Sequence, residues 1–357
     1  MRSDGLWSVF CACLLLAFCA CSGARMDFEK WDASFEHRYS LASTSLMEQE
    51  LILGRPFMFK YADSSLFVYD YLADSLFVLI DLNDHNRVYR FGQRGQGDNE
   101  FVQPTGCCLM PADSVIGIYD YPRKQLRAIN LRQVKRGVAE FPVCWRDTLL
   151  SVEVYPTAYN NYVGKGFYEH NMLSLTGDAA GRKYFFEYPY RDSREQDIPN
   201  RLRGMAYQGS LCVNPSLNRF VFAVGHAPIL MLFSVDGSEI KKNYEWIGGY
   251  PEYKTEVTEQ YSSAPMSADN INSFIDAYAT DKYVYLLYSG KTAREADVRA
   301  YEGTVVYRLT WEGHPVDKLV LDWPSTRICV SPDDGVLYSM ANKGEIEIVK
   351  YLLKNIV

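Results

Sequence analysis

Six times along this chain a strand-like run ends in a short polar or glycine-bearing corner, and a second strand follows. The runs are Phe67–Tyr71, Gly117–Tyr121, Tyr162–Gly166, Phe222–His226, Leu286–Gly290 and Tyr338–Asn342. Successive copies lie roughly 45 to 65 residues apart, the span of one four-stranded propeller blade. The first two are close relatives, because Asp63-Ser64 with Tyr69-Asp70-Tyr71 recurs as Asp113-Ser114 with Tyr119-Asp120-Tyr121. An all-β six-bladed propeller of four-stranded antiparallel blades follows from that spacing. The repeat says less about function than about fold.

Within each repeat the third-to-fourth hairpin has its own signature, apolar alternation broken by Gly, Asn and Asp. Met231-Leu232-Phe233-Ser234, for example, turns through Val235-Asp236-Gly237-Ser238 into Glu239-Ile240. The 27 tyrosines and 18 phenylalanines favour strands and cross-strand pairs over helices. The last blade supplies only three strands, Arg327–Val330, Gly335–Met340 and Glu345–Leu352. The strand-like stretch 35–41 has no blade of its own, so it is expected to become the outer strand of the last blade and close the ring. Closure of this kind hides edges that would otherwise invite aggregation.

The amino terminus reads as a processing signal. Leu6 to Phe18 is apolar and too short to span a bilayer, about right for a signal-peptide core. Phe18-Cys19-Ala20-Cys21-Ser22 resembles a degenerate lipobox with Cys21 as the lipidated residue; simple cleavage and secretion is the alternative. Residues 1–20 are then the lipoprotein signal peptide, 21–34 a tether, and 35–357 one propeller domain. Acyl chains on one cysteine hold a protein to a membrane without a spanning helix, since each buried methylene contributes about 0.8 kcal/mol. The expected address is the cell envelope, at the outer membrane, facing either the periplasm or the exterior.

Cys107, Cys108, Cys144, Cys212 and Cys329 remain in the mature chain without CxxC or zinc spacing. They read as small core residues, with one inter-blade disulfide left open. With 44 acidic against 37 basic residues the formal charge is −7, which argues against a nucleic-acid partner. No cofactor is expected.

Meander geometry places the second-to-third corners and the inter-blade links on one face of the disc. The loops 93–101, 250–270 and 290–303 fall there too, and long loops gathered on a rigid scaffold are where binding sits. The candidate ligand-binding residues are therefore Asp70, Tyr71, Arg94, Asp120, Tyr121, Lys165, His226 and Lys291. Asp70 and Asp120 suit a cation or acid–base pair, against the plainer reading that each accepts hydrogen bonds in its own turn. Tyr71 and Tyr121 suit an aromatic platform, or packing between blades. Gly92-Gln93-Arg94-Gly95-Gln96-Gly97 lacks the GK[ST] ending of a phosphate loop and opens no helix, so it reads as a structural inter-blade loop, with Arg94 reaching toward a ligand as the alternative. His85 and His314 fall on the opposite face; His226 alone among the five histidines sits at a corner of the loop-rich face.

From Arg90 through Phe101 and Pro104, then Tyr119-Asp120 and Arg127–Leu131, the chain resembles an NHL-type propeller repeat. With the lipobox and the six-fold count, the mature chain looks like the TolB-like six-bladed propeller lipoproteins of the Bacteroides group. The likeness is specific in blades one and two; blades three to five lack the Gly-rich loop. The resemblance implies a fold and an envelope address, and no reaction. The function expected is a non-catalytic envelope module that binds a small molecule, glycan, peptide or protein through its loop-rich face. The alternatives are a hydrolase or lyase with a metal or acid–base pair in the channel, and a purely structural subunit.

Overall fold

A computed structural model describes residues 27–47, 51–84, 87–112, 114–149, 151–177, 181–258 and 260–354. The expected signal peptide, Cys21 and His85 lie outside them. Blade one is built from Pro56–Ala62, Ser65–Asp70, Ser75–Asp81 and Val88–Arg94. Blade two takes Pro104–Leu109, Val115–Asp120, Gln125–Asn130 and Val143–Arg146. Blade three takes Ser151–Pro156, Tyr162–Gly166, Leu173–Gly177 and Gly181–Phe185. Blade four takes Gly209–Val213, Arg219–Val224, Ile229–Asp236 and Glu239–Ile247. All pair antiparallel in sequence order. The strand Pro315–Val330 runs unbroken across two blades. Its first half is the outer strand of blade five, beside Gly303–Thr310; its second half is the inner strand of blade six, beside Val336–Asn342.

Every corner singled out in the sequence lies at the end of a second strand except that of blade five, where the strand Tyr283–Thr292 runs two residues past Gly290. The repeated Asp-Ser has a backbone cause: Asp63 and Ser64 both adopt positive φ, 48° and 51°, forming the two-residue turn between the first and second strands of blade one. Such turns match the right-handed twist of the flanking strands and favour short polar residues that tolerate this region. The blade faces are apolar, and Leu66, Val68, Val78 and Ile80 of blade one share a core with Ile328, Leu337 and Met340 of blade six.

Ring closure differs from the expectation. His37–Leu41 does not become the outer strand of blade six; it lies parallel against Asp317–Leu321, on the outer edge of blade five. The two residues Thr44–Ser45 pair antiparallel with Lys350 and Val349 and complete blade six. The amino-terminal segment thus straps both blades joined by the continuous strand. Between the two pairings the Ser43 backbone N–H and hydroxyl donate to Asp322, at 2.9 and 3.0 Å.

The expected tether also changes character within the described residues. Residues 27–33 are helical, and Trp31 and Phe35 are buried in the body of the ring. Trp31 stacks on Trp246 at 4.5 Å between ring centroids, and Phe28 stacks on Tyr288 at 4.8 Å. Asp32 accepts hydrogen bonds from Tyr307 and Lys318. The folded body therefore begins at residue 27 at the latest, because aromatic side chains there fill the cleft between blades four and five. A third insertion, absent from the sequence reading, links blades three and four through the short helices Ser193–Gln196 and Asn200–Ala206.

Candidate functional site

The inner strands surround a central channel with a cavity of about 900 Å³. Each of the six blades contributes to its wall: Lys60 from the first, Cys107 from the second, Glu153 and Tyr155 from the third, Cys212 from the fourth, Asp276 from the fifth and Arg327 from the sixth. Around the mouth stand Gly54 and Arg55 of the link into blade one, Gly225 and His226 at the blade-four corner, and Val298 and Tyr301 of the blade-five loop. These are elements of the loop-rich face, so the channel opens there. Lys60 lies four residues past Pro56 on an inward-running strand, about 13 Å deeper at 3.3 Å per residue.

The eight sequence candidates separate. His226 alone among them lines the cavity. Asp70 and Asp120 do not: both are fully buried, and each spends its two carboxylate oxygens on backbone donors. Gly54 and Arg55 N–H donate to Asp70, both at 2.7 Å; Val102 and Gln103 N–H donate to Asp120 at 3.0 and 2.8 Å. The repeated Asp thus ties the second-to-third corner of a blade to the link entering that blade, and the two carboxylates form neither an acid–base pair nor a cation site. Arg94 donates to the Tyr71 carbonyl at 2.8 Å and lies over the Tyr71 ring, which orders the corner. Tyr71 and Tyr121 stay partly exposed, at 41% and 37%, outside the cavity wall. Lys291 donates to the Glu302 carbonyl at 3.0 Å and pins the blade-five loop. Lys165 is buried, donating to Glu153 and to the Gly209 carbonyl, each at 2.6 Å. The Gly-rich loop is closed on itself, because Glu100 accepts from Gly97 N–H at 2.7 Å and Arg123 donates to the Gly95 and Gly97 carbonyls.

Sequence reasoning missed Lys60, Glu153, Asp276 and Arg327. Their signal is a single charged residue within each of four inner strands, as in Pro56-Phe57-Met58-Phe59-Lys60-Tyr61-Ala62. Lys60 Nζ meets the Cys212 sulfur at 3.6 Å and the Tyr278 ring face at 5.1 Å. Burial pulls the Lys60 ammonium toward neutrality, but Cys212, Tyr278, Cys107 and Asp276 more than offset it and leave its pKa above the ordinary lysine value. Burial pushes the Cys107 thiol up to about 12 and raises Cys212 too, so both stay protonated at neutral pH. Asp276 accepts from Ile328 N–H at 2.8 Å, and burial raises its pKa against the pull of Arg327. Among the described residues all five cysteines are free thiols, and no group of three His, Cys, Asp or Glu side chains is arranged to hold a metal.

Burial lowers the His226 pKa from its ordinary 6.5, against a hydrogen bond with Asn272 that raises it. The folded state therefore favours the neutral imidazole. The sign follows: this contribution to stability is fully present above pH 6.5 and is lost as pH falls below that value. His226→Gln should flatten the fall in melting temperature between about pH 7 and 5. Parallel curves for the two proteins would show that His226 does not titrate differently on folding.

A family model described as TolB-like 6-blade propeller-like matches residues 34–333. Among solved structures, a Bacteroides fragilis protein inferred to be exported superposes at a TM-score of 0.50 with 9% identity, over 88% of this chain and 98% of that one. A member of the DUF4221 family from Bacteroides vulgatus gives 0.49 with 13% identity, over 87% and 95%. The calcium-binding protein regucalcin from Agrobacterium tumefaciens gives 0.48 with 11% identity, over 89% and 95%. No curated protein matches. Identities this low speak to the fold alone.

Proposed function

The chain belongs to the TolB-like six-blade propeller-like family, and from that premise we propose that it is a non-catalytic binding module of the cell envelope, with its ligand seated in the central channel. One observation carries the reading: a cavity of about 900 Å³ opens on the loop-rich face and takes wall residues from all six inner strands. A ligand there is gripped by a rigid ring while loops control entry, the usual division between scaffold and site. The lining mixes apolar side chains such as Met58, Leu211 and Phe274 with a few convergent polar groups.

Filling the channel tests this. Gly225 lines the mouth of the cavity, and a Cβ there meets one atom within 4 Å, the Gln208 carbonyl oxygen at 3.6 Å, so Gly225→Trp should place its ring in the opening. The protein is incubated with envelope extract and the retained small molecules are identified by mass spectrometry. Gly225→Trp, and separately Ser210→Trp, should lose what the unaltered protein retains while keeping its melting temperature. Retention by both filled variants would move the binding site elsewhere.

The envelope address rests on the lipobox-like Phe18–Ser22. No helix among the described residues is long and apolar enough to cross a membrane. Cys21→Ala should move the protein from the membrane pellet to the soluble fraction; unchanged fractionation would refute an anchor at Cys21.

A further inference from the structure

The charges on the channel wall do not balance. Arg55, Lys60 and Arg327 face Glu153 and Asp276 in a chain whose formal charge is −7. Glu153 is already engaged, by Lys165 at 2.6 Å and by the Tyr155 hydroxyl at 2.5 Å. Arg327 donates to the Phe57 and Thr326 carbonyls at 2.8 and 2.6 Å, which fixes its guanidinium at the wall. Lys60 has no such partner. Among the described residues no carboxylate lies within ion-pair distance of its Nζ, which touches only a thiol and an aromatic face. Buried charges are normally paired, because withdrawal from water is costly and a facing countercharge offsets it. Here the side of the ammonium that lacks a partner is the cavity.

The surroundings narrow what that partner is. Met58, Tyr155, Leu211 and Phe274 make the wall near Lys60 largely apolar. A second free cation at the same depth is missing among the described residues, since Lys165 is committed to Glu153 and Arg327 to backbone carbonyls. A dianion such as a phosphate monoester would be under-neutralised. We propose that the channel seats an organic monoanion, an apolar body with a carboxylate or sulfonate head, and that the head pairs with Lys60. This rests on the channel being the binding seat, and it adds the ligand's charge and the residue that reads it.

Two fluorescent probes of nearly equal shape separate the claims: anilinonaphthalene sulfonate carries the anionic head, and N-phenyl-naphthylamine lacks it. The whole protein should bind the sulfonate more tightly than the neutral twin. Lys60→Met should weaken the sulfonate roughly tenfold, the scale of one charge-assisted contact, and leave the neutral probe unchanged. Equal sulfonate binding by both proteins would overturn the pairing, as would tighter binding of the neutral probe to the unaltered protein. The latter result would leave the channel as the seat; failure of both probes to bind would remove the seat as well. A second readout needs no ligand. The melting temperature of unliganded Lys60→Met should stay within a few degrees of the parent's, because no carboxylate lies within ion-pair distance of Nζ to be stranded by the change. A drop of several degrees would show that Lys60 is a paired structural cation, and the inference would fall.

Discussion

Trp31→Ala should destabilise the protein by about 3–5 kcal/mol, the cost of truncating a large buried aromatic. Trp31 is 7% exposed and sits at the centre of a cage of rings: Trp246 at 4.5 Å, Phe35 and Tyr307 at 4.8 Å, and Phe274 at 6.0 Å between centroids. These rings come from blades four and five and from the strap itself, so the side chain closes the cleft between two blades. The cage does not collapse easily, because Trp246, Phe274 and Tyr307 are strand residues fixed by ladder hydrogen bonds. For a domain of this size the loss corresponds to a fall of about 4–7 °C in melting temperature. Trp31→Phe keeps part of the volume and should cost about half as much. An unchanged melting temperature for Trp31→Ala would mean that residues 27–35 are a tether after all and that the ring closes without them.

Propagation from sequence to fold worked where one physical cause repeats. Each second strand had to end in a residue that turns the chain, and in blades one and two that residue is an Asp holding the incoming link by two backbone hydrogen bonds. The same local pattern therefore recurs, and counting it counts blades. Closure lacked any such pattern. Thr44–Ser45 is too short to show alternation, and the parallel placement of His37–Leu41 depends on the first half of Pro315–Val330 leaving an open outer edge on blade five. The helix Asn200–Ala206 is too short for its periodicity to register. Site prediction fared worse for a geometric reason. Corners are conspicuous in sequence because they are polar, but most of these polar groups are consumed in holding the corners. The side chains that face the lumen are isolated charges in apolar strands, and only the ring brings Lys60, Glu153, Asp276 and Arg327 around one cavity.

Lys165 offers the sharpest contrast with Lys60, since it lies behind the channel wall, paired with the lining residue Glu153, whereas Lys60 faces the cavity. Lys165 is 6% exposed, faces Glu153 and the Gly209 carbonyl at 2.6 Å each, and lies over the Phe222 ring at 5.3 Å. It joins the second strand of blade three to the first strand of blade four. Lys165→Met should cost about 3–5 kcal/mol, because it strands a largely buried carboxylate beside a carbonyl that has lost its donor. Adding Glu153→Leu removes the stranded charge, so the double variant should regain all but about 1–2 kcal/mol, the share of the unsatisfied carbonyl. Chemical denaturation of the four proteins in this cycle measures the coupling directly. Additive losses would show that the two charges do not support one another. A stable Lys165→Met that fails to retain ligand would instead return Lys165 to the binding residues, and would make Lys60 one of two cations reading the same anion.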